Sequence, residues 1–129
     1  MNRIPLTRPA IGPAEHDAHR RVLDSGRLVS GDENLAFEQG VARLAARPHA
    51  IAAASGTAAL HMALWALDLA QDGEVVVPAF TFPAPAHAAH ALGHHVRLVD
   101  VDPDTWNLSV ARLEEVAGSN TTAIIAVDQ

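Results

Sequence analysis

Asp72-Gly73-Glu74-Val75-Val76-Val77-Pro78 is the most informative stretch of this sequence for the fold class. Its three consecutive valines are β-branched and predict a buried strand. Pro78 ends that strand, since proline has no N–H to donate to a sheet. Outward from it, further short strands are predicted at 51–54, 96–101 and 121–127, with helices between them at 57–69, 84–92 and 110–116. Strands that alternate with helices predict an α/β fold with a largely parallel sheet.

The region before these strands is predicted to be helical. Ile4-Pro5-Leu6 and Arg8-Pro9 indicate an extended arm. Pro13 suits a first helical turn, and we expect that helix to run to about Ser25 and to end at Gly26. A second helix is predicted from Glu33 to Ala46, ended by Arg47-Pro48. We therefore divide the chain into an arm with helices at 1–48 and an alternating part at 49–129.

Composition excludes several classes of function. The chain has 129 residues, a formal net charge of −6 and no cysteine. An acidic chain lacks the basic footprint of a non-specific nucleic-acid binder, and no thiolate can hold a metal or act as a nucleophile. All nine cations are arginines, so no lysine of this chain can form a Schiff base. We see no signal peptide or membrane-spanning stretch and expect a cytoplasmic protein.

Two segments carry candidate binding chemistry. Ser55-Gly56-Thr57-Ala58 lies where a helix is predicted to begin, and the free N–H groups of a helix start can bind a phosphate. A plain helix cap is the alternative for this motif, and it is the commoner one. Phe82 follows the valine strand, so it lies at the edge of a parallel sheet where ligands bind, and it could stack on a flat ring or pack in the core. For Phe80 we predict the core.

The order of these and other motifs resembles the DegT/DnrJ/EryC1/StrS family of sugar aminotransferases, which use pyridoxal phosphate (PLP). The resemblance runs over essentially the whole chain. It rests on the following segments: Ile4-Pro5-Leu6, Ser25-Gly26, Ser30-Gly31, Phe37-Glu38, Ser55-Gly56-Thr57-Ala58-Ala59-Leu60, Asp72-Gly73-Glu74-Val75, Pro78, Thr81-Phe82, Val99-Asp100-Val101-Asp102, Asn107 and Ala123-Ile124-Ile125-Ala126-Val127.

The resemblance implies a fold-type I transferase, a three-layer α/β/α arrangement around a mostly parallel sheet. It implies that Thr57 and the Ala58 backbone contact the phosphate of PLP, that Ser55 and Gly56 shape the turn, and that Phe82 stacks on the pyridine ring. It further implies transfer of an amino group, with glutamate as the expected donor, to a keto group of a nucleotide-linked sugar. A homodimer is also implied, since the family builds its site between two subunits.

Other features of the sequence depart from the family pattern. The family's Schiff-base lysine and its aspartate on the pyridine nitrogen lie beyond the matched segment, and Asp128 is not that aspartate. Pro85 stands where the family often has a small hydroxyl residue. The resemblance therefore identifies the chain as the N-terminal portion of the large domain, incomplete and inactive by itself. PLP is expected to bind the full-length parent, and its binding to this chain alone is expected to be weak or absent. The alternative is a non-catalytic truncated remnant that acts as a dimerisation or phosphate-ligand-binding module. A nucleotide-binding domain of another family ranks last, since no GxGxxG is present.

Several other polar clusters are predicted not to be sites. His87, His90 and His94 could approach a metal from one helix face, but Gly93 interrupts that helix, and we predict packed or solvated histidines with no metal. Asp100, Asp102 and Asp104 resemble the start of a calcium loop that lacks its later ligands, so we reject a calcium site. A further set of side chains in the helix 57–69 is predicted to be core or satisfied polar positions: His61, Met62 and Trp65.

Overall fold

A computed structural model describes residues 4–5 and 7–129, so Leu6 of the predicted arm lies outside the described residues. The chain forms two compact units, Met1–Ala52 and Ala53–Gln129. Each unit is described by itself below.

Two helices make up the regular structure of the first unit. Helix α1 spans Pro13–Ser25 and ends as predicted, because Gly26 adopts a left-handed φ of 68° that glycine tolerates without strain. The Gly12 N–H donates to Glu15 Oε2 at 2.7 Å across its first turn. Helix α2 spans Asp32–Leu44. It ends before the predicted Ala46, which has a left-handed φ of 50°.

The second unit contains the sheet. Strands β1 (Glu74–Pro78), β2 (His95–Val99) and β3 (Thr121–Ile124) lie in the order β2-β1-β3, and both pairings are parallel. This confirms the predicted parallel arrangement. β2 is shorter than predicted, since Val101 instead forms an antiparallel bridge with Leu108. Because parallel strands point the same way, the segments that follow them emerge at one edge of the sheet.

Three helices accompany these strands: α3 (Gly56–Ala66), α4 (Ala84–Ala91) and α5 (Val110–Val116). Leu64 of α3 and Ala88 and Ala89 of α4 form one buried cluster with Val75 and Val77. α3 is shorter than the predicted 57–69, because Asp68 takes a left-handed φ of 47°. Within the described residues, every helix is too short or too polar to cross a membrane.

Several expectations about burial and strands are wrong, among them the predicted core position of Met62, which is 38% exposed. Residues 51–54 form no strand, and Ile51 is 78% exposed. A strand needs a neighbouring strand to pair its backbone N–H and C=O groups. The described sheet consists of β2, β1 and β3, and none of them pairs with residues 51–54. Trp65 is 73% exposed, since α3 turns Leu64 to the sheet instead, and Phe80 is 53% exposed. Composition favours burial of aromatic residues, but the packing of the helices determines which side chains are covered.

Candidate functional site

The first turn of α3 is built by the sequence Ser55-Gly56-Thr57-Ala58. Ser55 is in extended conformation just before the helix, and its Oγ accepts a hydrogen bond from the Ala58 N–H at 3.1 Å. The Ser55 carbonyl accepts the Ala59 N–H at 3.0 Å. A serine in this position is a typical N-cap and fixes where the helix begins. The helix-cap interpretation of the motif is therefore realised in the structure.

The cap leaves two N–H groups of the same turn without a partner. Among the described residues, neither the Gly56 nor the Thr57 N–H has a hydrogen-bond acceptor. A Cβ built on Gly56 would meet nothing within 4 Å, so the space beside it is open. Thr57 is exposed and adds a hydroxyl. Unpaired N–H groups and the helix dipole together favour an anion, so this turn can seat a phosphate without a cationic side chain.

Phe82 lies in the segment between β1 and α4, four residues beyond Pro78. Phe82 is 79% exposed, so it does not occupy a core position. Phe80, in the same segment, pairs with Trp106, with ring centroids 5.0 Å apart and planes tilted by 51°. The segment after β1 thus presents one aromatic ring that is paired and another that is free for a planar ligand.

The structure gathers four of the five predicted site residues into one helical turn. Ser55, Gly56, Thr57 and Ala58 are consecutive around the start of α3, whereas Phe82 lies on a separate segment. α3 begins within the first of these segments and α4 begins just after the second, and the two helices pack against each other. The Ala58 N–H, expected to face a phosphate, donates to Ser55 instead.

Trp106 is a residue that the sequence reasoning did not single out. It adopts a left-handed φ of 61°, which is rare for a bulky side chain. The loop that contains it is closed by Asp102, whose Oδ1 accepts from the backbone N–H groups of Asp104 and Thr105, each at 3.0 Å. The bond from Thr105, and then that from Asp104, lowers the pKa of Asp102. The run Asp102-Pro103-Asp104 indicates such a turn, but nothing local in the sequence predicts a strained tryptophan.

The clusters predicted not to be sites show no metal geometry. Across the described ranges, no group of three or more histidine, aspartate or glutamate side chains could hold a metal ion. His94 is 8% exposed and its Nδ1 has no hydrogen-bond partner, whereas His87 and His90 are exposed. Pro85 is buried in the first turn of α4, where its missing N–H leaves no helical bond unmade.

Several solved structures have a fold similar to that of this chain. A Streptococcus pneumoniae protein described as a sugar aminotransferase, in its PMP form, matches at a TM-score of 0.88 and 29% identity, covering 95% of this chain and 31% of its own. An E. coli GDP-4-keto-6-deoxy-D-mannose-3-dehydratase with bound hydrated PLP matches at 0.89 and 26%, covering 98% and 34%. A 3-amino-5-hydroxybenzoic acid synthase matches at 0.85 and 35%, covering 94% and 32%.

These matches confirm the fold-type I class of PLP-dependent transferases. The chain spans about a third of the length of these solved structures. A sequence model of the DegT/DnrJ/EryC1/StrS aminotransferase family matches residues 9–129. This match over most of the chain, in agreement with the parallel sheet, shows that the chain belongs to the DegT/DnrJ/EryC1/StrS aminotransferase family.

Proposed function

We propose that the protein carrying this chain is a PLP-dependent aminotransferase that transfers an amino group from glutamate to a keto group of a nucleotide-linked sugar. Membership of the family supports this reaction class. The observation that carries the proposal is the first turn of α3, where two N–H groups and a hydroxyl are free beside open space. The solved structures that this chain resembles differ in substrate, so the sugar rests on the family resemblance alone.

The residues of this turn fit the phosphate of PLP. The Gly56 and Thr57 N–H groups would donate to phosphate oxygens, and the Thr57 hydroxyl would add a third donor. Ser55 and Ala58 would contribute by holding the turn through their cap bond. When bound, PLP supplies an electron sink for chemistry at the amino-bearing carbon. This chain's part is to bind the phosphate and to orient the ring.

Phe82 would cover the pyridine ring. A free aromatic side chain offers a flat apolar surface, and stacked rings gain about 0.5–1.5 kcal/mol beyond their burial. At 79% exposure the side chain has surface left to bury. Burial of both the ring of Phe82 and the ring of PLP would exclude water from one side of the cofactor.

We propose that the 129-residue chain alone turns over no substrate, because it has no lysine to hold PLP covalently. A non-catalytic module that binds a phosphate ligand or a second copy is the second candidate, and the missing lysine is the observation that favours it. The intact mass of the polypeptide in its native source separates the two. A product several-fold heavier than 13.6 kDa supports the aminotransferase. A product of 13.6 kDa supports the binding module.

A homodimer is proposed as the working form. Apolar side chains of α2 lie open within their own unit, with Phe37 62% and Leu44 89% exposed. Buried contact with a second copy would remove this surface from water. Analytical ultracentrifugation of the protein at several concentrations tests this, and a monomer at high concentration argues against it.

The cofactor site is tested by titrating the purified chain with pyridoxamine phosphate. This probe has the phosphate and ring of PLP but no aldehyde, so it cannot react with the chain's terminal amine. We expect weak but saturable binding that Thr57→Val weakens by about tenfold, since a hydrogen bond to a charged group contributes about 1.5 kcal/mol or more. Phe82→Leu should weaken binding several-fold, by about the value of a stacked ring pair.

Matched control variants test whether the loss of affinity is specific to the α3 turn and Phe82. Thr7→Val makes the same chemical change at an exposed position of the first unit, and Trp65→Leu removes an aromatic ring at an exposed position of α3 outside its first turn. Both variants should leave affinity unchanged. Pyridoxamine without its phosphate should bind at least tenfold more weakly, because it cannot use the α3 turn. Equal binding of the two compounds, or unaltered affinity in both site variants, contradicts the proposed site.

A further inference from the structure

The segments that follow the three strands are tied to one another. The Ala79 N–H, just after β1, donates to the Val99 carbonyl at 2.8 Å. The Gln129 side-chain Nε2 donates to the Phe80 carbonyl at 3.1 Å, and the Gln129 N–H donates to Asn107 Oδ1 at 3.0 Å. With the ring pair of Phe80 and Trp106, these bonds fasten the segment after β1 from both sides of the sheet.

Trp106 occupies its place in this network at a conformational cost. Its φ of 61° lies in the left-handed region, which side chains of this size rarely adopt. The surrounding bonds hold it there: its N–H donates to the Asp102 carbonyl at 2.8 Å, and the Asp102 N–H donates to the Asn107 carbonyl at 2.9 Å. A strained residue persists only where its surroundings fix it, and such residues cluster at functional sites.

The ring pair contributes little to the core. Phe80 is 53% and Trp106 is 52% exposed, and neither belongs to the buried cluster around Val75 and Val77. The pair therefore makes its contact outside the core, at the start of the segment that leads from Phe80 to Phe82. Phe82 is two residues further on and is 79% exposed, so its position depends on the backbone of that segment.

We infer that Trp106 is a positioning residue, which acts through Phe80 to hold the segment 79–82 so that Phe82 presents its ring at the cofactor site. The inference rests on the proposed function for the identity of that site. Trp106 itself contacts Phe80 and needs no contact with the cofactor. Its strained backbone is explained if the ring must lie where it meets Phe80.

The test measures backbone order of the 129-residue chain by ¹⁵N relaxation, which reports motion directly. We compare Trp106→Ala with Trp106→Phe, which keeps a ring, and with Trp65→Ala. Trp65 is the matched control, because it is also an exposed tryptophan of the second unit but belongs to no aromatic pair of the described chain. In Trp106→Ala the order parameters of Thr81 and Phe82 should fall from about 0.85 to about 0.6 or lower.

The same variants are titrated with pyridoxamine phosphate. Affinity should fall about threefold or more in Trp106→Ala, should be largely restored in Trp106→Phe and should be unchanged in Trp65→Ala. Order parameters of Val75 to Val77 should be unaltered throughout, which shows that the change in motion is confined to the segment after β1.

Unchanged order at Thr81 and Phe82 in Trp106→Ala overturns the inference, as does equal loss in Trp65→Ala. Increased mobility with undiminished affinity overturns it too. If the wild-type chain binds no pyridoxamine phosphate, the assignment of a cofactor site to this chain alone fails. The positioning role is then decided by the order parameters alone, with a selective fall supporting it.

Discussion

Leu64 and Trp65 are neighbours on α3 that should respond in opposite ways to replacement by alanine. Leu64 is 4% exposed in the cluster with Val75 and Val77, whereas Trp65 is 73% exposed. Leu64→Ala removes three carbon groups, worth about 2.4 kcal/mol at about 0.8 kcal/mol each. The cavity left behind adds to this, so we expect a loss of about 3–4 kcal/mol in the free energy of unfolding.

Trp65→Ala should change that free energy far less. A fully buried tryptophan loses about 3–5 kcal/mol on truncation, and roughly a quarter of this side chain is covered, which leaves about 1 kcal/mol. The higher helix propensity of alanine offsets about half of this loss in the free energy of unfolding. The net change should lie within about 0.5 kcal/mol of zero, so the two variants should differ by about 3 kcal/mol.

Urea unfolding followed by tryptophan fluorescence measures the difference. Both tryptophans belong to the second unit, so the signal reports that unit. Leu64→Ala is best compared in the Trp65→Ala background, where Trp106 is the sole reporter. With a slope of about 1–3 kcal/mol per molar urea, the midpoint should fall by about 1–3 M. A Trp65→Ala loss equal to or larger than that of Leu64→Ala would refute the assigned orientation of α3.

Two further expectations concern the helix end and the loop. Gly26→Ala should destabilise the first unit by about 1–2 kcal/mol, because the φ of Gly26 is 68° and this left-handed conformation is unfavourable for alanine. Gly40→Ala inside α2 should stabilise the same unit by up to about 1 kcal/mol, because alanine has the higher helix propensity. Thermal unfolding followed by circular dichroism compares the two variants. The Asp102 carboxyl should titrate below its ordinary pKa, since the Thr105 and Asp104 N–H groups stabilise the charged form. The pKa of Asp102 is lower in the folded state than in the unfolded chain, where it is about 4. The stability that this carboxylate contributes is therefore fully present above about pH 4 and is lost as the pH falls through the folded-state pKa. An NMR titration of the Asp102 side-chain carboxyl measures its pKa, and a midpoint at or above the ordinary value would contradict the prediction. Asp102→Asn should abolish the pH-dependent contribution to stability.

Local chemistry was sufficient where one residue type determines the backbone. Pro13 and Gly26 bound α1 as predicted, because one fixes a helical φ and the other accepts a left-handed one. Ser109 caps α5 at the predicted position, accepting from the Arg112 N–H. The valine run formed β1 because β-branched side chains favour a pleated, covered surface.

Prediction failed where the outcome depends on distant neighbours. The sequence predicts a short buried strand at residues 51–54, because an apolar run precedes the Ser55-Gly56-Thr57 cap, but no strand borders them among the described residues. Trp65 has the hydrophobicity of a core residue, but Leu64 occupies the face of α3 that meets the sheet. The strain at Trp106 arises from a loop closed by Asp102 and from a ring contact 26 positions away in sequence, at Phe80.

The sequence by itself determined the α/β class, most helix ends, the family resemblance and the motif around Thr57. These follow from backbone preferences and residue order, which are properties of short segments. The tertiary structure decided which N–H groups of the α3 turn stay free, which aromatic rings are exposed and how the segments after the strands are joined. Those features depend on contacts between residues far apart in the chain, and no local propensity encodes them.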